Sequence, residues 1–555
     1  MPVYSPFPDV TIPPCDISTF YFGLAHKRRR PDNDTLPLVH DSTTGKTLNL
    51  SDIQRQSEHV ASGLSARGFI QSYDASREID AVAVVYATTS IELISVHHGV
   101  LMAGGTYAPM DPGQSTKALA EHLDSLRPSA AFVTLALLPR FLEACEMVDL
   151  HIPTSLVFIV DSDPTTVSGY GSLASLVEEQ AVYSRLPMMS LGQLEHRVAL
   201  VVCSSGTTGG AKGVKLTHRN IIAAQIIVGG YMAQEIQRKG LEIPRETVLS
   251  SLPSWHIYGL SVLFYQSLAS GSCIVQMPEF KPLEYLEAIQ QHCVERLCAT
   301  PAVLQALVNC SYRDPQDPGY VVHGASGRRF KIDSVKAIVC GGAMIPATRL
   351  REYSEYFGQA PIHLGYGSTE TSSIAAGCTW GTPAPGATGI LYPNTTALVL
   401  DADGQETQGF GELCIKGIQV MAGYADKSLP SPFVHDGFVR MGDYARVSED
   451  GNVYVRGRMA DLVHLAGDDG PRVVAPTDVE CLASEHPAVR DCAAKGDGKG
   501  GLLVVVVLAG NSKEELEDVE TWVQERNDFG LEMTFKSAPA IKKTPGGKVI
   551  RWLLD

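Results

Sequence analysis

From about residue 79 onward, short runs of β-branched and small apolar residues alternate with longer segments whose apolar positions recur every three or four residues. "IDAVAVVYA" is followed by "IELISVHHGVLMAG", "RVALVVC" by "THRNIIAAQIIVGGYMA", "SCIVQM" by "PLEYLEAIQQHC" and "VKAIVC" by "IPATRLREYSEYF", with "LVFIVD" as a further apolar run. Short continuous runs read as buried strands and the longer periodic segments as helices, so the order predicts parallel sheets covered by helices. His97 and His98 fall inside one helical pattern and read as a packed or partly exposed helix face. After Glu370 the pattern changes to short strands punctuated by Gly and Pro, as in "TTALVLDADGQETQGFGELCIKG", which reads as a β-rich subdomain. The last hundred or so residues read as a separate small unit: a helix in "PTDVECLASEHPAV", a strand in "GLLVVVVLAG", a Ser-capped helix in "SKEELEDVETWVQER" and a Gly-rich basic tail. Gly496, Gly498 and Gly501 match G-x-G-x-x-G, but a strand follows them rather than a helix, so they read as a hairpin turn and not a dinucleotide site.

Composition narrows this picture. A chain of 555 residues exceeds what one hydrophobic core usually serves, so at least two domains are expected. The hydrophobic share is 44% and the charged share 19%, and the longest apolar run, from Leu502, is far shorter than a bilayer span; no transmembrane helix is expected. The N-terminus lacks a basic-then-apolar leader and "RWLLD" is neither a peroxisomal nor an ER-retention tripeptide, which makes a cytoplasmic location the expectation. A formal net charge of -16 argues against sequence-independent nucleic-acid binding. "HKRRR" from His26 to Arg30 reads as a solvated basic turn. Twelve cysteines contain no C-x-x-C pair and read as reduced core residues. An anionic ligand would therefore need a local cluster of positive charge.

One stretch offers such a cluster. In "VVCSSGTTGGAKGVKLTHRN" an apolar run breaks into Ser204, Ser205, Gly206, Thr207, Thr208 and Gly209, admits Lys212, and resumes with helical spacing. Glycines let successive backbone N–H groups turn inward, hydroxyls add donors, and the Lys brings a mobile charge, which together make a phosphate cradle. Read alone, a Gly-rich surface turn remains the alternative. The stretch is neither a Walker loop nor a nucleophile elbow.

This loop resembles the Thr/Ser/Gly-rich signature of the adenylate-forming (ANL) superfamily, with Ala211 in place of the usual Pro. "SWHIYGL" is similar to that family's aromatic-His motif, "GGAMIP" to its acyl-pocket turn, "LGYGSTE" to its adenine and magnesium motif, "GFVRMGDYA" to its ribose-binding motif, "VRGRMADLV" to its hinge and "KKTPGGKVIR" to its C-terminal Lys motif. They occur in family order over residues 45 to 552, and the opening segment resembles the 4-coumarate CoA ligase-like branch. The resemblance implies an α/β fold: a large N-terminal adenylation domain over residues 1–457, of two helix-covered sheets plus a β-rich subdomain, and a small mobile α+β domain over residues 458–555.

It also implies roles. Ser204 through Gly209 and Lys212 would hold the β- and γ-phosphates of ATP; Thr369 would meet the α-phosphate, Glu370 Mg²⁺, Tyr366 adenine, Asp443 the ribose with Arg458 beside it. Lys548 would bridge substrate carboxylate and nucleotide, with His256 as a gate beside the carboxylate. Tyr258, Gly341, Gly342, Ala343 and Gly365 would line the acyl pocket, and Ala460 would be the hinge. The implied reaction activates an aryl or medium-chain carboxylic acid as acyl-AMP and transfers it to coenzyme A. The alternatives are transfer to a thiol on a separate carrier protein or to an amine, and an inactive nucleotide-binding regulator. An amino-acid substrate is disfavoured, because "SWHIYGLSVLF" offers no Asp for an ammonium. The chain departs from the family pattern at Ala460, at His464, and in four extra residues within "GDDGPRVVAP", which bears on the second half-reaction.

Overall fold

The computed structural model describes residues 1–24, 35–70, 74, 76–161, 169–178, 183–184, 186, 189–204, 212–238, 245–378, 383–465, 472–510, 512–528, 530–544 and 547–554. Ser205, Gly206, Thr207, Thr208 and Gly209, the basic run from His26 to Arg30, and Gly467 to Pro471 lie outside the described residues.

Two sheets carry most of the chain. The first runs in the order Gly423–Tyr424, Lys212–Thr217, Val198–Ser204, Thr106–Pro109, Val82–Tyr86, Ala130–Val133, Val157–Ile159, Gly171–Ser172. Its centre is parallel, with Val82–Tyr86 between Thr106–Pro109 and Ala130–Val133, and every residue of these three strands is buried. Burial on both faces explains why these runs lack an apolar–polar alternation. Helix Leu50–Ala66 opens on a reciprocal capping box between Asn49 and Asp52 and packs on helix Leu93–Met102, in which all ten residues are buried. The histidine pair is therefore core. His97 Nε2 lies 2.9 Å from the Tyr265 hydroxyl and His98 Nε2 lies 3.4 Å from the Phe264 carbonyl oxygen.

The Ser/Thr/Gly-rich loop departs from the expected strand-to-helix connection. Lys212–Thr217 is a strand antiparallel to Val198–Ser204, with Lys212 opposite Ser204, and the helix starts only at His218. Val214 and Leu216 are buried while Gly213 and Lys215 are partly exposed, a period of two that belongs to a strand. The two flanking strands thus pair as a β-hairpin, and the following helix begins at the far end of the second.

In the second sheet, Val39–Asp41, Cys273–Gln276, Thr247–Ser250, Arg296–Ala299, Ala337–Gly341 and Ile362–Tyr366 are parallel neighbours. Antiparallel pairs then extend it through Ala376–Gly377, Gly389–Leu391, Asn452–Arg458, Val439–Val447, Gly411–Gly417 and Thr395–Leu400. The β-rich segment is thus hydrogen-bonded edge to edge with the parallel strands, and one piece of it, Gly423–Tyr424, crosses to pair with Lys212–Thr217.

The C-terminal residues build their own core. Val489–Gly496 and Leu502–Leu508 form the expected hairpin, with Gly496 opposite Leu502, and Met533–Ser537 runs parallel to the second strand. Helices Pro476–Ala483 and Lys513–Glu525 cover them, the latter capped by Ser512 accepting from Glu515 N. Val479, Val504, Val506, Val519, Val523 and Phe535 share a cluster drawn only from residues 463–535.

Burial holds the imidazole of His98 down at about 3 and, with His98 beside it, pushes His97 well below its ordinary value. The unfolded chain takes up these protons near pH 6.5, so stability falls as pH drops below about 6.5 and keeps falling toward the folded values. Each such histidine contributes a slope of about 1.4 kcal/mol per pH unit. For His98→Gln, urea titrations between about pH 5.5 and about pH 4 are expected to show the parent's slope reduced by about that amount.

Candidate active site

The parallel strands of the second sheet end where the sequence-predicted motifs lie, as is usual for open α/β sheets. Ala337–Gly341 and Ile362–Tyr366 run side by side with Gly341 opposite Gly365. A Cβ at Gly341 would stand 2.9 Å from the Gly365 carbonyl oxygen, whereas one at Gly365 would meet nothing within 4 Å. The first glycine is needed for close strand approach; the second leaves space. Gly342, at φ +94°, turns the chain toward Ala343. Every residue of Ile362–Tyr366 is partly exposed although the strand is interior to the sheet, so it faces an open cleft. Tyr258 reaches the same place and donates from its hydroxyl to the Val339 carbonyl at 3.0 Å.

Asp443 and Arg458 are cross-strand partners. Arg458 Nη1 donates to Asp443 Oδ1 at 2.9 Å and to the Met441 carbonyl at 3.1 Å, while the Tyr366 hydroxyl donates to Asp443 Oδ2 at 2.7 Å. Only 8% of Asp443 is exposed, and both of its oxygens are satisfied. The short helical turn Thr369–Thr371 carries buried Thr369 and partly exposed Glu370. Its approach is fixed by Gly367, where a Cβ would stand 2.2 Å from the Ser373 carbonyl oxygen. Glu370 Oε1 accepts from the Tyr424 hydroxyl at 3.4 Å, and Lys212 Nζ lies 5.2 Å from the centre of the Tyr424 ring.

The C-terminal tail brings Lys548 to this cleft. Lys548 N donates to Thr544 Oγ1 at 3.1 Å and Thr544 N donates to the Lys548 carbonyl at 2.8 Å, a tight loop that holds the lysine at its end. Gly547 has φ +85°, and a Cβ there would stand 3.3 Å from Thr300 Oγ1 and 3.4 Å from Ala302 Cβ, so the tail lies directly on the start of helix Pro301–Cys310. Lys543 pairs with Asp491 at 2.7 Å, and Arg551 pairs with Asp461 at 2.9 Å and with Glu480, which pins the tail to its own small sheet.

Electrostatics tie these groups together. The Lys548 ammonium is held below its usual value, first by burial and then by Arg458, with Asp443 and Glu370 acting in the opposite direction. Burial and the Lys548 charge hold the His256 imidazole down at about 4. His256 Nδ1 accepts from Tyr258 N at 3.3 Å, which leaves the neutral ring's proton on Nε2. The side chains of Lys212, Arg458, Lys548, Glu370 and Asp443 carry three positive and two negative charges, a local excess of positive charge in a chain of net charge -16. That is the local compensation an anion would require.

Of the sequence-predicted residues, Tyr366, Glu370, Asp443, Arg458, His256 and Lys548 share one electrostatic neighbourhood, Lys212 joins it through Tyr424, and Gly341, Gly365 and Tyr258 line its side. Ser204 ends the first hairpin strand opposite Lys212. Ala460 and His464 are exposed, away from these contacts, on the turn Met459–Asp461 and the strand Val463–Leu465. Tyr424 and the tail anchors Asp461, Glu480 and Arg551 had no signal in the sequence pattern, because each acts on a partner distant along the chain.

A family model described as "AMP-binding enzyme" matches residues 25–425, well over half of the chain. The chain belongs to the AMP-binding enzyme family. Among curated proteins, this AMP-binding enzyme is 27% identical over 568 residues to a probable 4-coumarate–CoA ligase 1 of Dictyostelium discoideum, covering 99% of this chain and 96% of the relative. It is 28% identical over 567 residues to the peroxisomal OPC-8:0-CoA ligase 1 of Arabidopsis thaliana, covering 99% and 94%. Among solved structures, ATP-bound MatB from Rhodopseudomonas palustris shares the fold, with a TM-score of 0.76 over 97% of this chain and 98% of that one at 20% identity. Among the described residues, no helix is long and apolar enough to cross a membrane.

Because Arg458 lowers the proton affinity of Lys548, Arg458→Met in this AMP-binding enzyme is expected to raise it. The pH midpoint for acetylation of Lys548, followed by mass spectrometry, should move upward; an unmoved midpoint would show that the lysine does not feel that charge.

Proposed function

We propose that this enzyme activates a carboxylic acid with ATP, forming acyl-AMP and pyrophosphate, and then passes the acyl group to coenzyme A with release of AMP. The observation that carries the reading is the convergence of Lys548, from the C-terminal tail, with Arg458, Asp443, Glu370 and His256 at the carboxyl ends of parallel strands. A carboxylate is a poor acyl donor; its oxygen attacks the α-phosphorus of ATP, the bond to the bridging oxygen breaks, and pyrophosphate leaves. The protein's part is positioning and charge neutralisation.

In this reading Asp443 accepts the ribose hydroxyls, oriented by Arg458 and Tyr366. Tyr366 also offers its ring to adenine. Ser204 to Gly209 and Lys212 would hold the departing phosphates, and Thr369 would meet the α-phosphate. Glu370 suits Mg²⁺: a hard carboxylate with one oxygen engaged only by a phenol at 3.4 Å and, among the described residues, no cluster of further ligands, so phosphate oxygens would complete its shell. Bound there, the ion would neutralise charge on the phosphates. His256 presents an Nε2–H donor, and Lys548 an ammonium, to the acid's oxygens as charge builds at the α-phosphate. The space over Gly365 and the Tyr258 wall suit an apolar aryl or medium-chain group.

Residues 1–457 would act as the adenylation domain and 458–555 as the mobile domain, turning at exposed Ala460. Coenzyme A is the favoured acceptor, rather than a carrier-protein thiol or an amine, because the curated relatives that match the chain nearly end to end are named CoA ligases.

ATP–pyrophosphate exchange across a panel of aryl and fatty acids, followed by mass detection of acyl-CoA, tests both half-reactions. Exchange with no acyl-CoA would redirect the acceptor to a carrier thiol or an amine. Lys548→Ala is expected to lower exchange about 10²- to 10³-fold while ATP binding stays measurable. Near-parental exchange in that variant would remove Lys548 from the reaction.

A further inference from the structure

The segment from Gly417 to Ala425 is hydrogen-bonded on two sides. Toward the Glu370 turn, Ser372 Oγ donates to the Gln419 carbonyl at 2.7 Å and Met421 N donates to the Glu370 carbonyl at 2.9 Å. Toward the hairpin that begins its second strand at Lys212, Ala422 N donates to the Lys215 carbonyl at 2.9 Å and Ala425 N to the Gly213 carbonyl at 2.8 Å. Asn220 Nδ2, on the helix that follows, donates to the Ile418 carbonyl at 2.7 Å. Tyr424 stands opposite Val214 in the antiparallel pair. A segment that belongs to the second sheet's β-rich stretch is thereby built into the edge of the first sheet.

Tyr424 continues this link through its side chain. Its hydroxyl donates to Glu370 Oε1 at 3.4 Å, and the Lys212 ammonium lies 5.2 Å from its ring centre. A lysine at a strand end beside a glycine-rich loop has many rotamers of similar energy; the negative face of an aromatic ring favours those that keep the ammonium over it. A partly exposed glutamate is equally free, and a phenol donor restricts its carboxylate in the same way.

We infer that Tyr424 is a positioning residue that sets the Lys212 ammonium and the Glu370 carboxylate relative to one another, so that a polyphosphate and its accompanying divalent cation are taken up as one unit. This rests on the assignment of Lys212 and Glu370 to the phosphates and the cation under the proposed function. Each group keeps capacity for a ligand: among the described residues no hydrogen bond takes a Lys212 N–H donor, and the Glu370 carboxylate has lone pairs beyond the one the phenol takes.

The two halves of the contact separate by substitution. Tyr424→Phe removes the hydroxyl from Glu370 and keeps the ring beside Lys212; Tyr424→Leu removes both. Calorimetric binding of ATP to the full chain, without acid so that nothing turns over, is measured in EDTA and then across a Mg²⁺ titration. Tyr424→Phe is expected to hold its metal-free affinity and to need about 10-fold more Mg²⁺ for half-saturation, the low end of what loss of a ligand's supporting contact costs. Tyr424→Leu should show that shift and, in addition, metal-free binding weaker by about threefold. An unchanged thermal midpoint for Tyr424→Phe checks that the shift is local. If Tyr424→Phe tracks the parent at every Mg²⁺ concentration, or loses affinity by the same factor with and without Mg²⁺, the inference fails while the proposed function stands. A parent chain that binds no ATP overturns both.

Discussion

Everything at the cleft depends on how one nearly buried carboxylate is held. Removing Asp443 from water costs several kcal/mol unless its charge is matched and its lone pairs are used. Arg458 does the first and, with Tyr366, the second. The three groups come from two antiparallel strands and a parallel strand of the same sheet, so the pairing is fixed by sheet register rather than by a flexible loop. Lys548 stands beside this pair: burial and then the Arg458 charge lower its proton affinity, while Asp443 and Glu370 act in the opposite direction.

The same logic explains why the C-terminal unit is anchored as it is. A lysine enclosed beside an arginine pays a desolvation and repulsion penalty, and a free tail would swing it into water. Arg551 against Asp461 and Glu480, Lys543 against Asp491, and the Thr544–Lys548 hydrogen bonds fix the tail to a sheet with its own apolar core. Gly547 then lets the loop lie against Thr300 and Ala302 without a side chain in the way. Interactions several residues away from Lys548 therefore help to hold it at the cleft.

Much of this was legible in the sequence. Continuous apolar runs separated by periodic segments gave the parallel strands and their helices, because strands buried on both faces leave that pattern and no other. The candidate residues that the structure brings together, among them Tyr366, Glu370, Asp443, Arg458, His256 and Lys548, were legible as a series of motifs in order. Three features were not. "KGVKLT" alternates for only six residues after a glycine-rich break, too short a stretch to outweigh the helical pattern that follows, so the hairpin was hidden. The continuity of the β-rich segment with the parallel strands lies in hydrogen bonds such as Tyr366 to Ala376, which no side-chain periodicity encodes. Tyr424 lies 54 residues from Glu370, and Arg551 lies 90 from Asp461; only topology joins them.

The two glycines at the cleft wall show where sequence reading and geometry divide the work. Gly341, in the turn "GGAMIP", and Gly365, in "LGYGSTE", look equivalent in the sequence, each a small residue expected to line the acyl pocket. In the sheet they differ: Gly341 has no room for a methyl group against the Gly365 carbonyl, whereas Gly365 faces open space. The first is therefore a requirement of strand packing, indifferent to the substrate. The second is a position where the fold would tolerate a side chain. Under the proposed function, a side chain there would change the size of acid admitted while leaving the hydrogen bonds of Asp443 and Glu370 in place, so that acid selection and acid activation would rest on different residues.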